Sequence, residues 1–145
     1  MPTGPIGPSA PSPAEAKDGK SKAEWCSLDI LKYTENRLGQ LDAETVLQFL
    51  TTFHKPCKSN TEYSEWANEL LFGIIQRQPV LLIQVLAEHP DLEEDYILME
   101  LATPVHDNVD LDLILKKLKA LDVPNDKNWK QRLIFSIENA MGKFG

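Results

Sequence analysis

Two cysteines, three histidines and seven glycines are all that this 145-residue sequence holds of the residue types from which disulfide scaffolds, metal centres and phosphate loops are built. Cys26 and Cys57 are too few for a disulfide framework and form no CxxC pair, so they are read as two buried thiols rather than a bridge. No glycine-rich phosphate loop occurs: Gly39 and Gly142 read as helix ends, and Gly73 falls inside a helical pattern. Long apolar runs are also missing. The longest, Pro79-Val80-Leu81-Leu82-Ile83, stops at Gln84, far short of the roughly 20 residues a membrane span needs. The N-terminus has no basic region followed by an apolar run, so no secretory signal is read. The expected location is cytoplasmic, with nuclear, or exported where a natural leader has been removed, as alternatives.

What is present suits a small globular protein, with 42% hydrophobic and 26% charged residues. Residues 1–21 hold five of the ten prolines within their first thirteen positions and have no large aromatic or clustered apolar side chains. Such a stretch cannot recover the entropy of ordering its backbone, so it is read as a disordered tail. Pro2, Pro5, Pro8 and Pro11 have PxxP spacing, but no arginine or lysine flanks them as a docking motif requires. The domain is placed at residues 22–145.

From Glu24 onward the apolar spacing is that of helices. Trp25, Leu28, Leu31 and Leu38 mark a first helix ending at Gly39, and Asp42 caps a second carrying Val46, Leu47, Leu50 and Phe53. The third is the clearest. Asn60 caps it, and Tyr63, Trp66, Ala67, Leu70, Leu71, Ile74 and Ile75 share one side. Pro79 opens an almost wholly apolar fourth helix running to about Glu88. Asp91 is expected to cap a fifth that ends at Pro104, and a sixth runs from about Asn108 to Leu121. A seventh begins near Asp126, with Trp129, Leu133, Ile137, Ala140 and Phe144 along one stripe.

Pro56, Pro90 and Pro124 recur at intervals of 34 residues. Upstream of each, Val46, Val80 and Ile114 align, as do Leu47, Leu81 and Leu115; downstream, Ala67, Leu101 and Phe135 agree, whereas Leu70, Pro104 and Glu138 do not. A helix, a proline-marked turn and a second helix would be the unit, which resembles the helical-hairpin repeats of solenoids. The expected fold is therefore all-α: a six- or seven-helix bundle, or a short helical-hairpin array of the HEAT or tetratricopeptide kind.

Charge is distributed unevenly. The formal net charge is -7, and between Arg77 and Lys116 stand nine acidic residues with no lysine or arginine: Glu88, Asp91, Glu93, Glu94, Asp95, Glu100, Asp107, Asp110 and Asp112. The rest of the chain thus sums to +2. A negative field of this kind favours a basic protein surface and opposes a phosphate backbone, which argues against direct nucleic-acid binding. Part of the clustering has a structural use, since acids in a first helical turn stabilise its dipole.

Candidates for chemistry are sparse. His54 and Cys57 have H-x-x-C spacing but lack the further ligands of a structural zinc site. His106, Asp107, Asp110 and Asp112 lack the glycine and terminal glutamate of an EF-hand. His89 beside Asp91 has no nucleophile elbow, and Glu65, Glu69 and Glu100 have no ExxH partner. No cofactor, metal or catalytic residue is assigned. The expected function is a non-catalytic protein–protein interaction domain, an adaptor or complex subunit, whose partner-binding residues are Glu93, Glu94, Asp95, Asp107, Asp110, Asp112 and Trp129. The rival readings are an acidic regulatory or inhibitory subunit masking a basic surface, and a small helical enzyme. Self-association is left open, because an apolar stripe facing its own chain looks like one facing a second copy.

Overall fold

Short polar caps at the start of apolar-periodic segments define most of the helices. The computed structural model describes residues 25–142; the tail read at 1–21, and Phe144, lie outside the described residues. Among the described residues the chain is all helical, with seven α-helices: α1 Leu28–Asn36, α2 Ala43–Thr51, α3 Thr61–Arg77, α4 Pro79–Glu88, α5 Glu94–Ala102, α6 Leu111–Ala120 and α7 Trp129–Ala140. Two 3₁₀ segments, Leu38–Gln40 and Lys55–Ser59, lie in the first two connections after α1 and α2. Asp42 accepts from the Thr45 N–H at 2.8 Å, Asn60 from Tyr63 at 3.2 Å and Asp110 from Leu113 at 3.0 Å, while Ser27 caps α1 by accepting from Ile30 at 3.2 Å. Each satisfies a donor that a helix start leaves without an intrahelical partner.

Three boundaries depart from the sequence expectation. Asp91 does not cap α5, which begins at Glu94 with Glu93 at the N-cap and no side-chain capping bond. A backbone turn holds that start instead, Leu92 N–H donating to His89 O at 3.2 Å and Glu94 N–H to Leu92 O at 2.8 Å. Gly39 does not end α1 in a left-handed conformation; it sits inside the 3₁₀ segment, and α1 stops at Asn36. Gly142, by contrast, does take φ +78° after the last turn of α7. Asp126 lies upstream of α7 and works as a remote cap, its two carboxylate oxygens accepting from Asn128 and Lys130 N–H at 3.0 Å each. Asn125, Lys127 and Asn128 in this connection all have positive φ, a region non-glycine residues rarely adopt.

The two cysteines correct the thiol reading, because Cys26 and Cys57 are joined in a disulfide with their Cα atoms 5.5 Å apart. Cys26 N–H donates to Thr52 O at 3.1 Å, which pins the residue to the end of α2. The 3₁₀ segment then turns Cys57 back to the same corner, where it is fully buried. A partner 31 residues distant gives no local sequence signal. Trp25 stacks on His54 beside the bridge, ring centroids 3.7 Å apart, so both residues of the H-x-x-C pair are engaged at this corner. Among the described residues no group of three or more His, Cys, Asp or Glu is placed to hold a metal ion.

Helix rhythm and helix packing diverge. The 34-residue interval does recur as helix, turn and helix, with α2 and α3, α4 and α5, and α6 and α7 as successive pairs. The pairs do not stack as a solenoid, however. α4 lies on α2 and α5 on α7, as successive units would, but α6 packs against α7 and α3 and makes no comparable contact with α4. The array therefore closes into a bundle around α3, which touches α1, α4, α5 and α6. Its core joins Leu31, Phe49, Phe53, Tyr63, Leu71, Ile75, Ile83, Leu86, Ile97, Ile114, Leu133 and Ile137 in one cluster. No single helix among the described residues is long and apolar enough to cross a membrane; α3 and α4 are apolar enough together but meet at 110°.

Candidate interaction groove

One wall of the candidate site is α5, and a single buried asparagine on α3 sets its position. Asn68 is 1% exposed. Its amide donates to the Glu100 carboxylate at 2.7 Å and to the carbonyls of Glu100 and Thr103 at 3.1 and 3.2 Å, while its oxygen accepts from Val105 N–H at 3.1 Å. One side chain thus bonds the last turn of α5 and the turn beyond it. Carbonyls at a helix C-terminus lack intrahelical donors, and a bonded buried amide removes that cost. Glu100, read at sequence level as a candidate catalytic carboxylate with Glu65 and Glu69, is a buried part of this clamp; Glu69 instead faces His106 at 3.9 Å.

α7 forms the other wall, and Trp129 and Arg132 fix it in place. Trp129, expected from the sequence to contact a partner, is buried at 2% exposure. Of the basic residues around it in sequence, Arg132 is the one that covers it. The Arg132 guanidinium lies 4.1 Å from its ring centroid and also donates to Glu94 at 3.2 Å, while Lys130 turns away to the Leu121 carbonyl at 2.7 Å. A guanidinium held over an indole contributes about 1 kcal/mol or more when partly desolvated. Glu94 and Arg132 thereby tie the start of α5 to α7.

Between the two helices runs a groove of about 490 Å³. α5 contributes Asp95, Leu98, Met99 and Ala102, and α7 contributes Gln131, Arg132, Phe135, Ser136 and Asn139, with Asn128 added from its N-cap. Phe135 is 52% exposed, the most exposed large hydrophobic side chain among the described residues. Leu98, Met99, Ala102 and Phe135 give the groove an apolar part, and Asn128, Gln131 and Asn139 add amides. Beneath α5, burial and then the nearby Glu100 carboxylate push the Tyr96 hydroxyl up to about 12, and burial raises Tyr63 further still. These phenols belong to the core, Tyr63 bonding Thr52 Oγ1 at 2.8 Å.

The predicted partner-binding residues separate into two groups. Asp95 lines the groove, Glu94 braces it through Arg132, and Trp129 supports it from below. Asp107, Asp110 and Asp112 are exposed in the α5–α6 connection and at the start of α6, outside the groove lining, with Asp110 occupied as a cap. Glu93 is half-buried at the α5 N-cap. Sequence reasoning missed Phe135 as a surface residue, because the 34-residue alignment set it beside Ala67 and Leu101, both buried. Its signal was the polar company of Gln131, Arg132, Glu138 and Asn139. Comparison of the chain with known protein families, with characterised proteins and with solved structures yields no match.

Proposed function

We propose that this chain is a non-catalytic protein–protein interaction domain that receives a partner segment in the groove between α5 and α7. The observation that carries the reading is the half-exposed Phe135 ring in a groove also lined by Leu98, Met99 and Ala102, on walls fixed by Asn68 and by the Glu94–Arg132–Trp129 contact. A rigid groove with an aromatic anchor suits recognition because little side-chain entropy is lost on binding.

Site-specific photo-crosslinking in cells tests this. A benzophenone side chain at Gln131, on the groove rim, is expected to trap a discrete partner, and the same group at Gln84, exposed on α4, is not. Adding Phe135→Asp should abolish the Gln131 adduct. Adducts of the same mass and yield from both positions, or one indifferent to Phe135→Asp, would overturn the proposal.

A further inference from the structure

We infer that the occupant of the α5–α7 groove is a basic amphipathic helix of a partner protein, its apolar stripe on Phe135, Leu98 and Met99 and a lysine or arginine directed to Asp95. The inference rests on the groove being an interaction site and names what it takes.

Shape argues for a helix. Both walls are α-helices whose backbone groups are bonded internally, so no strand edge is offered for an extended peptide to pair with. The lining along α7 runs from Asn128 to Asn139, about 16 Å at the helical rise, which matches three turns of an occupant helix. Side chains on one face of such a helix recur every three or four residues, and on α5 Leu98 and Met99 stand four and three residues before Ala102.

Charge argues for a basic one. Asp95 is exposed on the groove wall in the first turn of α5, with Asp91 exposed and Glu93 half-buried just upstream. The cation lining the groove, Arg132, is already matched by Glu94 at 3.2 Å and lies on Trp129, and Lys130 is bonded to the Leu121 carbonyl. Lys127 stands exposed in the loop before α7, next to Asp126, whose carboxylate is held by two backbone N–H groups. The groove end at Asp95 is therefore negative in the context of a chain of net charge -7, and a cationic side chain placed there gains attraction without displacing an existing pair.

Fluorescence anisotropy with the full chain and three labelled synthetic helical peptides tests the assignment. One peptide carries a leucine stripe with lysines elsewhere, the second the same stripe with glutamates, and the third the lysine composition with its leucines scattered. The lysine-stripe peptide is expected to bind about tenfold more tightly than the glutamate one, and Asp95→Lys to erase most of that difference. Phe135→Asp, and the milder Phe135→Ala with helicity checked by circular dichroism, should weaken both striped peptides. Equal affinity for the lysine and glutamate stripes would overturn the basic occupant while leaving the groove reading in place. Equal affinity for the scattered lysine peptide would reduce the effect to general attraction and overturn the helical occupant. Binding of neither striped peptide, or binding insensitive to both Phe135 variants, would sink the groove reading itself. A dimer in sedimentation that Phe135→Asp dissociates would replace the partner with a second copy of this chain.

Discussion

Replacing Asn68 tests the wall of the groove directly. Asn68→Ala removes the 2.7 Å bond to the Glu100 carboxylate and leaves the Thr103 carbonyl and the Val105 N–H without their side-chain partner. The Glu100 carbonyl keeps the Thr103 N–H at 3.1 Å, so it adds little. A bond to a charged group contributes about 2 kcal/mol and each of the two partly exposed backbone groups about 0.5 kcal/mol, giving a loss of about 3 kcal/mol. For a domain of this size that lowers Tm by about 10 °C. Asn68→Asp sharpens the test, because it keeps an acceptor for Val105 N–H but sets a second carboxylate against Glu100. Two carboxylates at that distance cannot both ionise readily, so the folded state holds a proton that the unfolded chain releases at neutral pH. The stability difference from wild type should then be largest at pH 7 and shrink as pH falls towards 4, as read from urea denaturation at each pH. A loss below about 1 kcal/mol for Asn68→Ala, or a pH-independent deficit for Asn68→Asp, would refute the clamp.

The Cys26–Cys57 bridge closes a loop with a sequence separation of 31, for which chain entropy gives about 3.5 kcal/mol, so Cys57→Ala should lower Tm by more than 10 °C in a thermal scan without reductant. Alkylating thiols in intact cells before analysis by mass will report whether the bridge is formed where the protein resides; an oxidising compartment predicts no labelled cysteine. Gly73→Ala should stabilise α3 by about 1 kcal/mol, since an added Cβ meets only the mobile end of Arg77 at 3.4 Å and Leu38 at ordinary contact distance. Tyr96 is pushed up from 10.0 to about 12 in the folded state. The folded chain therefore binds more protons than the unfolded chain between those values. Stability should be intact below pH 10 and fall as pH rises towards 12, with phenolate absorbance appearing together with loss of helicity.

Local information determined the helices of this protein. The caps Asp42, Asn60 and Asp110, the opening Pro79 and the three-and-four spacing of apolar residues act over a few positions, so the sequence alone placed nearly every helix and its buried stripe. Where that reading slipped, the deciding contact was also short in range but made by backbone, as in the turn before α5 that displaces Asp91. Tertiary structure alone decided the pairing of helices: the 34-residue rhythm fits a stack and a closed bundle equally, and the packing of α6 on α3 chooses between them. The same step joined Cys26 to Cys57, buried Trp129 under Arg132 and left Phe135 at the surface. Trp129 and Phe135 occupy one helix among similar neighbours, and which of them faces the core depends on where α5 lies, a position held by Asn68 from 32 residues away. Periodicity tells which residues share a face; what covers that face is a long-range fact.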